Sequence, residues 1–124
     1  MNREGRINSY RDLLVWQKGM ALAKEVYSMT RRFPDDERFG LIAQMRRAAV
    51  SIPSNIAEGQ ARQGRKEFVQ FLSHAELDAQ VTLAVGLGYC QSSHVHQSVA
   101  TISELQKMLA SLRQKSAVRL AASH

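Results

Sequence analysis

Apolar residues recur at spacings of three and four along most of the chain, the mark of helices with one buried face. They fall into four blocks. The first predicts a helix to about Arg32, capped by Asn8 or Ser9, with Asp12 in its first turn. Leu13, Trp16, Met20, Ala23 and Tyr27 form one stripe on it, and Val15, Leu22, Val26, Met29 and Phe33 form a second beside the first. Together they cover roughly half the wheel, wider than the ~100° arc a core-facing helix needs. So wide an arc predicts a central helix, or one covered in part by a second subunit.

Phe33-Pro34-Asp35-Asp36-Glu37 ends that helix and begins the next. Pro34 disfavours helix at Phe33, Asp35 or Asp36 can cap the second helix, and Glu37 suits its positive end. The second block predicts a helix from Glu37 to Arg62, with Ile42, Met45, Ala49, Ile52 and Ile56 on one face. Pro53 lies inside it, removes a donor and crowds the carbonyl of Ala49, and so predicts a kink. Gln63-Gly64 breaks the pattern. The third block predicts a helix from Arg65 to Tyr89 on a heptad seam of Phe68, Leu72, Ala75, Ala79, Thr82, Gly86 and Tyr89, most of them small. The fourth runs from His94 to Ser116 on Val95, Val99, Ile102, Leu105, Leu109 and Leu112. No strand pattern or repeat competes. Four helices on short links predict a single all-α domain over residues 1–124, an antiparallel up-down-up-down four-helix bundle kinked at Pro53, with 1–8 and 117–124 as flexible tails.

Composition sharpens this. A chain of 124 residues suffices for one core, and 6% aromatic content predicts that Leu, Ile, Val, Ala and Met fill it. The net charge is +6, which serves solubility or draws the protein to nucleic acid or an acidic partner. Within residues 44–66, Arg46, Arg47, Arg62, Arg65 and Lys66 are opposed only by Glu58. Cys90 is the lone cysteine, so no intrachain disulfide can form and a reducing, cytoplasmic location is expected. The N-terminus lacks the apolar core of a secretory signal, and no apolar run approaches the roughly 18 residues of a membrane span.

Candidate chemistry is sparse. His94 and His96 leave a helix on different faces, and with Cys90 they make too few ligands for a metal. His74 has no nucleophile partner in view and is expected to be packed. Glu76 and Asp78 point apart on one helix, so no carboxylate cluster forms. There is no nucleophile elbow and no phosphate loop. A non-enzymatic protein without metal or cofactor is expected.

A series of short runs carries a resemblance: Leu14-Val15-Trp16-Gln17-Lys18; Phe33-Pro34 followed by acids; Leu41 with Gln44-Met45-Arg46-Arg47-Ala48-Ala49; Ser51-Ile52-Pro53-Ser54-Asn55-Ile56-Ala57-Glu58-Gly59; Phe68 with Phe71-Leu72; and Leu87-Gly88-Tyr89. Over residues 10–112 the chain resembles the four-helix bundle family also called 23S rRNA intervening sequence proteins, itself similar to the accessory variability determinants of diversity-generating retroelements. The resemblance implies a bundle that assembles into a homo-oligomer, with pentameric rings among its forms, and no established enzymatic activity. Nucleic-acid binding by basic surfaces belongs to the retroelement relatives. One departure stands out. After Ala75 the family usually carries about five further residues, roughly 7.5 Å of helix, which this chain lacks, so its third helix must be shorter or re-registered.

Two functions are expected from charge and resemblance together. One is a homo-oligomer that binds RNA or DNA non-specifically, through Arg62, Arg65 and Lys66 at the link between helices two and three, and through Arg47. The other is an adaptor for another protein. Arg46, nearer the apolar stripe, is expected to be structural, together with Ser51, Pro53, Asn55, Glu58 and Gly59. Asn55 and Glu58 are expected to bond groups freed by Pro53 or a neighbouring basic residue.

Overall fold

The periodicity translates into four helices and no strand among the described residues. A computed structural model of the chain describes residues 10–58 and 64–122, with side chains over 13–58 and 72–111. The helices are α1 (Tyr10–Thr30), α2 (Leu41–Ala57), α3 (Gly64–Gly86) and α4 (Ser92–Ala122). Each packs against its neighbours in the chain, and α4 closes the circuit against α1. Across the diagonals, α1 to α3 and α2 to α4, no described Cα pair comes within 8 Å. This is a four-helix bundle. Thr30 meets Arg46 and Gly19 meets Pro53 and Ile56, so residue numbers run in opposite directions along α1 and α2. Across α1 and α4, Glu25 meets Thr101 and Lys18 pairs with Glu104, again in opposite order.

One apolar cluster fills the interior. It draws Val15, Leu22, Val26, Met29 and Phe33 from α1 and its C-terminal turn, Met45, Ala49, Ile52 and Ile56 from α2, Leu77, Val81 and Ala84 from α3, and Ile102, Leu105 and Leu109 from α4. The second stripe of α1 is therefore its core face. Of the first stripe Ala23 joins the core, Trp16 and Met20 are half-buried, and Leu13 and Tyr27 are 36% and 39% exposed.

Several expected features shift. The second helix begins at Leu41 rather than Glu37, because Asp35–Glu37 form a separate 3-10 turn. Neither Asp35 nor Asp36 caps it. Gly40 holds the cap position without a capping side chain, and Glu37 Oε1 accepts the Leu41 N–H at 3.1 Å instead. The helix ends at Ala57 and contains Pro53. The small-residue seam of α3 is not its buried face. Leu72, Ala75, Ala79, Thr82 and Gly86 are exposed, and His74, Leu77, Val81 and Ala84 are buried. Turning Leu77 and Val81 inward removes more apolar area from water than turning in Ala75, Ala79 and Gly86 would.

The third helix also stops at Gly86, before Tyr89. Gly88 takes φ +78°, the Tyr89 N–H returns to the Ala84 carbonyl and the Gly88 N–H to Val85, both at 2.9 Å. These paired bonds are a Schellman stop, which needs a residue without a Cβ at the left-handed position. In α4, Val99 is exposed and Ser98 and Thr101 are buried in its place; the helix continues past Ser116 to Ala122.

Candidate functional site

Arg46 and Arg47 are neighbours in sequence and opposites in setting. Arg46 is half-buried against α1. Its Nε donates to Thr30 Oγ1 at 2.9 Å, and its guanidinium carbon stands 4.5 Å from the centre of the Tyr27 ring. Thr30 is itself buried, and its hydroxyl donates to the Val26 carbonyl at 2.8 Å. Arg46 is thus held by a bond and a cation–π contact across the α1–α2 boundary. Arg47 leaves α2 about 100° away and is exposed. Thr30 is a site residue that the spacing analysis missed. It lies sixteen positions from Arg46, and only the register between two helices brings them together.

Around Pro53 the side chains serve packing. Pro53 is buried, and a Cβ placed on Gly19 of α1 would lie 3.3 Å from its Cβ and from Ile56 Cδ1. Gly19 therefore lets the two helices approach closely at the proline, another role that apolar periodicity does not reveal. Ser51 Oγ donates to the Ala48 carbonyl at 2.7 Å and comes within 3.2 Å of Ser73 Oγ on α3. Ser54 Oγ donates to the Val50 carbonyl at 2.9 Å. Asn55 is half-buried and Glu58 exposed, at the C-cap of α2. Gly59 and Arg62 lie outside the described residues, and so do the side chains of Arg65 and Lys66. Arg47 is ten residues before Ala57, about 15 Å along α2. The α2–α3 link follows that end in the chain.

Two of the short sequence runs meet at the other end of the bundle. The Phe33 and Tyr89 rings pack with centres 5.3 Å apart, and the Tyr89 hydroxyl donates to Glu37 Oε2 at 2.8 Å. The Gly88 stop delivers Tyr89 to that position. Glu37 thus ties the start of α2 to the turn after α3. The Leu41 N–H and then the Tyr89 hydroxyl hold its carboxyl below the ordinary value, and the same bond raises the Tyr89 phenol. Arg31, Arg32 and Arg38 are exposed at this end, interleaved with exposed Asp35 and Asp36. These arginines were not singled out by sequence, because their local run is balanced by acids.

His74 is buried, and burial lowers its pKa to about 4, so it is neutral at pH 7. Burial raises the Cys90 thiol, which is the opposite of what a reactive thiolate needs. Among the described residues no three His, Cys, Asp or Glu side chains converge as a metal site, and no helix is long and apolar enough to cross a membrane.

Among the described residues, two apolar surfaces outside the core concern the site. One is a groove of about 420 Å³ between α1 and α2, floored by Trp16, Met20, Ala23, Tyr27, Val50 and Pro53. The other is the outward face of α3, where Leu72, Leu83 and Leu87 are about half exposed between small residues. Compared with known proteins, the chain matches a model of the family described as 23S rRNA-intervening sequence protein over residues 11–111. No curated protein matches it.

Proposed function

Because the chain belongs to the 23S rRNA-intervening sequence protein family, we propose that it is a non-enzymatic four-helix bundle that forms a homo-oligomer and binds nucleic acid non-specifically through basic surfaces. The observation that carries this reading is the charge. Seventeen lysines and arginines stand against eleven acids, and Arg47 is an exposed cation beside a structurally engaged Arg46. An assembly multiplies that charge and repeats each weak phosphate contact around its axis, so contacts add as avidity. Arg47 and the link residues Arg62, Arg65 and Lys66 are the proposed contacts, and the protein acts in the cytoplasm.

The two unlike apolar surfaces support self-assembly. A groove on α1–α2 and an exposed leucine face on α3 are different surfaces, which favours a head-to-tail contact, and head-to-tail contacts that close make rings. A pentameric ring is the form we propose. The same groove supports the second reading, an adaptor in which it receives a helix of another protein.

The test is binding of purified protein to single- and double-stranded RNA and DNA across a salt series, with the mass in solution measured alongside. We expect a multimer that binds all four with similar, salt-sensitive affinity. A monomer at micromolar concentration contradicts the assembly. A multimer that binds none of them at low salt contradicts the nucleic-acid reading and favours the adaptor.

A further inference from the structure

A second cleft, of about 740 Å³, opens between α1 and α4 and is closed at one end by the turn after α3. That volume lies within the roughly 300–1,000 Å³ of small-ligand sites. Unlike the α1–α2 groove, its walls are rich in polar side chains. Glu25 from α1 and His94 from α4 line it, together with Tyr89, Gln97 and the exposed Lys24 and Arg32.

Two wall atoms have no hydrogen-bond partner among the described residues although they are shielded from solvent: Glu25 Oε1 and His94 Nδ1. Glu25 Oε2 lies 3.3 Å from Thr101 Oγ1, and Lys18, whose charge acts on the carboxylate, is engaged by Glu104. Buried polar atoms are seldom unpaired, so these two atoms mark a wall suited to a hydrogen-bonding guest. Burial raises the Glu25 carboxyl, against the lesser opposite effects of Thr101 and Lys18. N–H donors from a guest would favour its ionised form.

The chemistry narrows the guest. A metal ion has no converging ligand set among the described residues and would meet Lys24 and Arg32. A simple anion suits those cations but is repelled by Glu25. A guest that suits both has N–H donors at one end and an anionic group at the other. An ionised carboxylate accepts only, and it pairs best with two adjacent N–H groups. Among nucleobases guanine presents such a pair on its Watson–Crick edge.

We propose that the α1–α4 cleft binds a guanine nucleotide, with the base edge on Glu25 and His94 and the phosphate on Arg32 and Lys24. The nucleotide can be free, or it can be one residue of a single strand. The second case rests on the nucleic-acid reading, and the first does not.

The experiment is calorimetric titration of the full chain with GMP, AMP, UMP and inorganic phosphate, repeated on Glu25→Gln and Arg32→Gln with their folding checked by circular dichroism. We expect GMP to bind at least tenfold more tightly than AMP or UMP. Glu25→Gln should lose that preference while its weak phosphate affinity persists, and Arg32→Gln should lose at least tenfold for GMP while still preferring guanine. Arg32 is exposed, so its variant tests the site even if Glu25→Gln does not fold. Binding of GMP no tighter than inorganic phosphate overturns the proposal, as does GMP affinity unchanged in both variants. Competition against a guanine-containing single strand separates the sources: displacement by GMP assigns the cleft to strands, and binding without displacement assigns it to free nucleotide. If GMP does not bind while salt-dependent oligonucleotide binding persists, the cleft proposal fails and the basic-surface reading stands.

Discussion

At the scale of single residues, adjacent arginines do different work. Removing Arg46 leaves Thr30 Oγ1 without its donor and Tyr27 without its cation. Arg46→Gln should lower stability by about 1–3 kcal/mol, the range for a hydrogen bond to a charged group, while Arg47→Gln should change it by no more than about 0.5 kcal/mol. Urea denaturation of both variants checks this; equal effects would contradict it. His74 gives a pH signature. Its pKa is about 4 when folded and 6.5 when exposed. Between those values the unfolded chain binds a proton that the folded chain excludes. Stability is therefore complete above pH 6.5 and declines toward pH 4, by roughly 3 kcal/mol in all. Denaturation midpoints across that window should fall in the wild type and fall less in His74→Leu. The burial of His74 was legible from its apolar neighbours Leu72 and Ala75 only in part, since both of those residues face outward.

At the scale of elements, the helices were legible because periodic apolar spacing is a strong constraint, and the joins were not. Gly40 and the Asp35–Glu37 turn move the start of α2, and Gly88 stops α3 early; both depend on backbone geometry and on partners far along the chain. The face of α3 was misread because two stripes compete on it, and bulk rather than regular spacing decides which is buried. The Glu37–Tyr89 tie yields a prediction. Tyr89→Phe keeps the ring contact with Phe33 and removes the hydroxyl bond. Glu37 has a lowered folded pKa, so its contribution is present above the ordinary value of 4.5 and lost as pH falls through the lowered one. Tyr89→Phe should thus melt below wild type at pH 7, and the gap should close in acid below pH 4.5. A gap that is constant with pH would show that the carboxylate is not involved.

At the scale of the whole molecule, the bundle and its core were visible in the sequence, whereas the candidate site was visible only as residue types. The basic stretch reads as one unit along the chain, and within it Arg47 stands about 15 Å along α2 from that helix's end at Ala57. Under the proposed function those cations act together on one nucleic acid. Counterion release measures this directly, because each phosphate neutralised steepens the dependence of log affinity on log salt by about 0.9 on duplex DNA. The decisive measurement is that slope for one duplex, taken for the wild type and for the chain with Arg47, Arg62, Arg65 and Lys66 all changed to Gln. The account predicts unchanged fold and mass, weaker binding and a flatter slope in the variant. Identical slopes and affinities for the two proteins would contradict it.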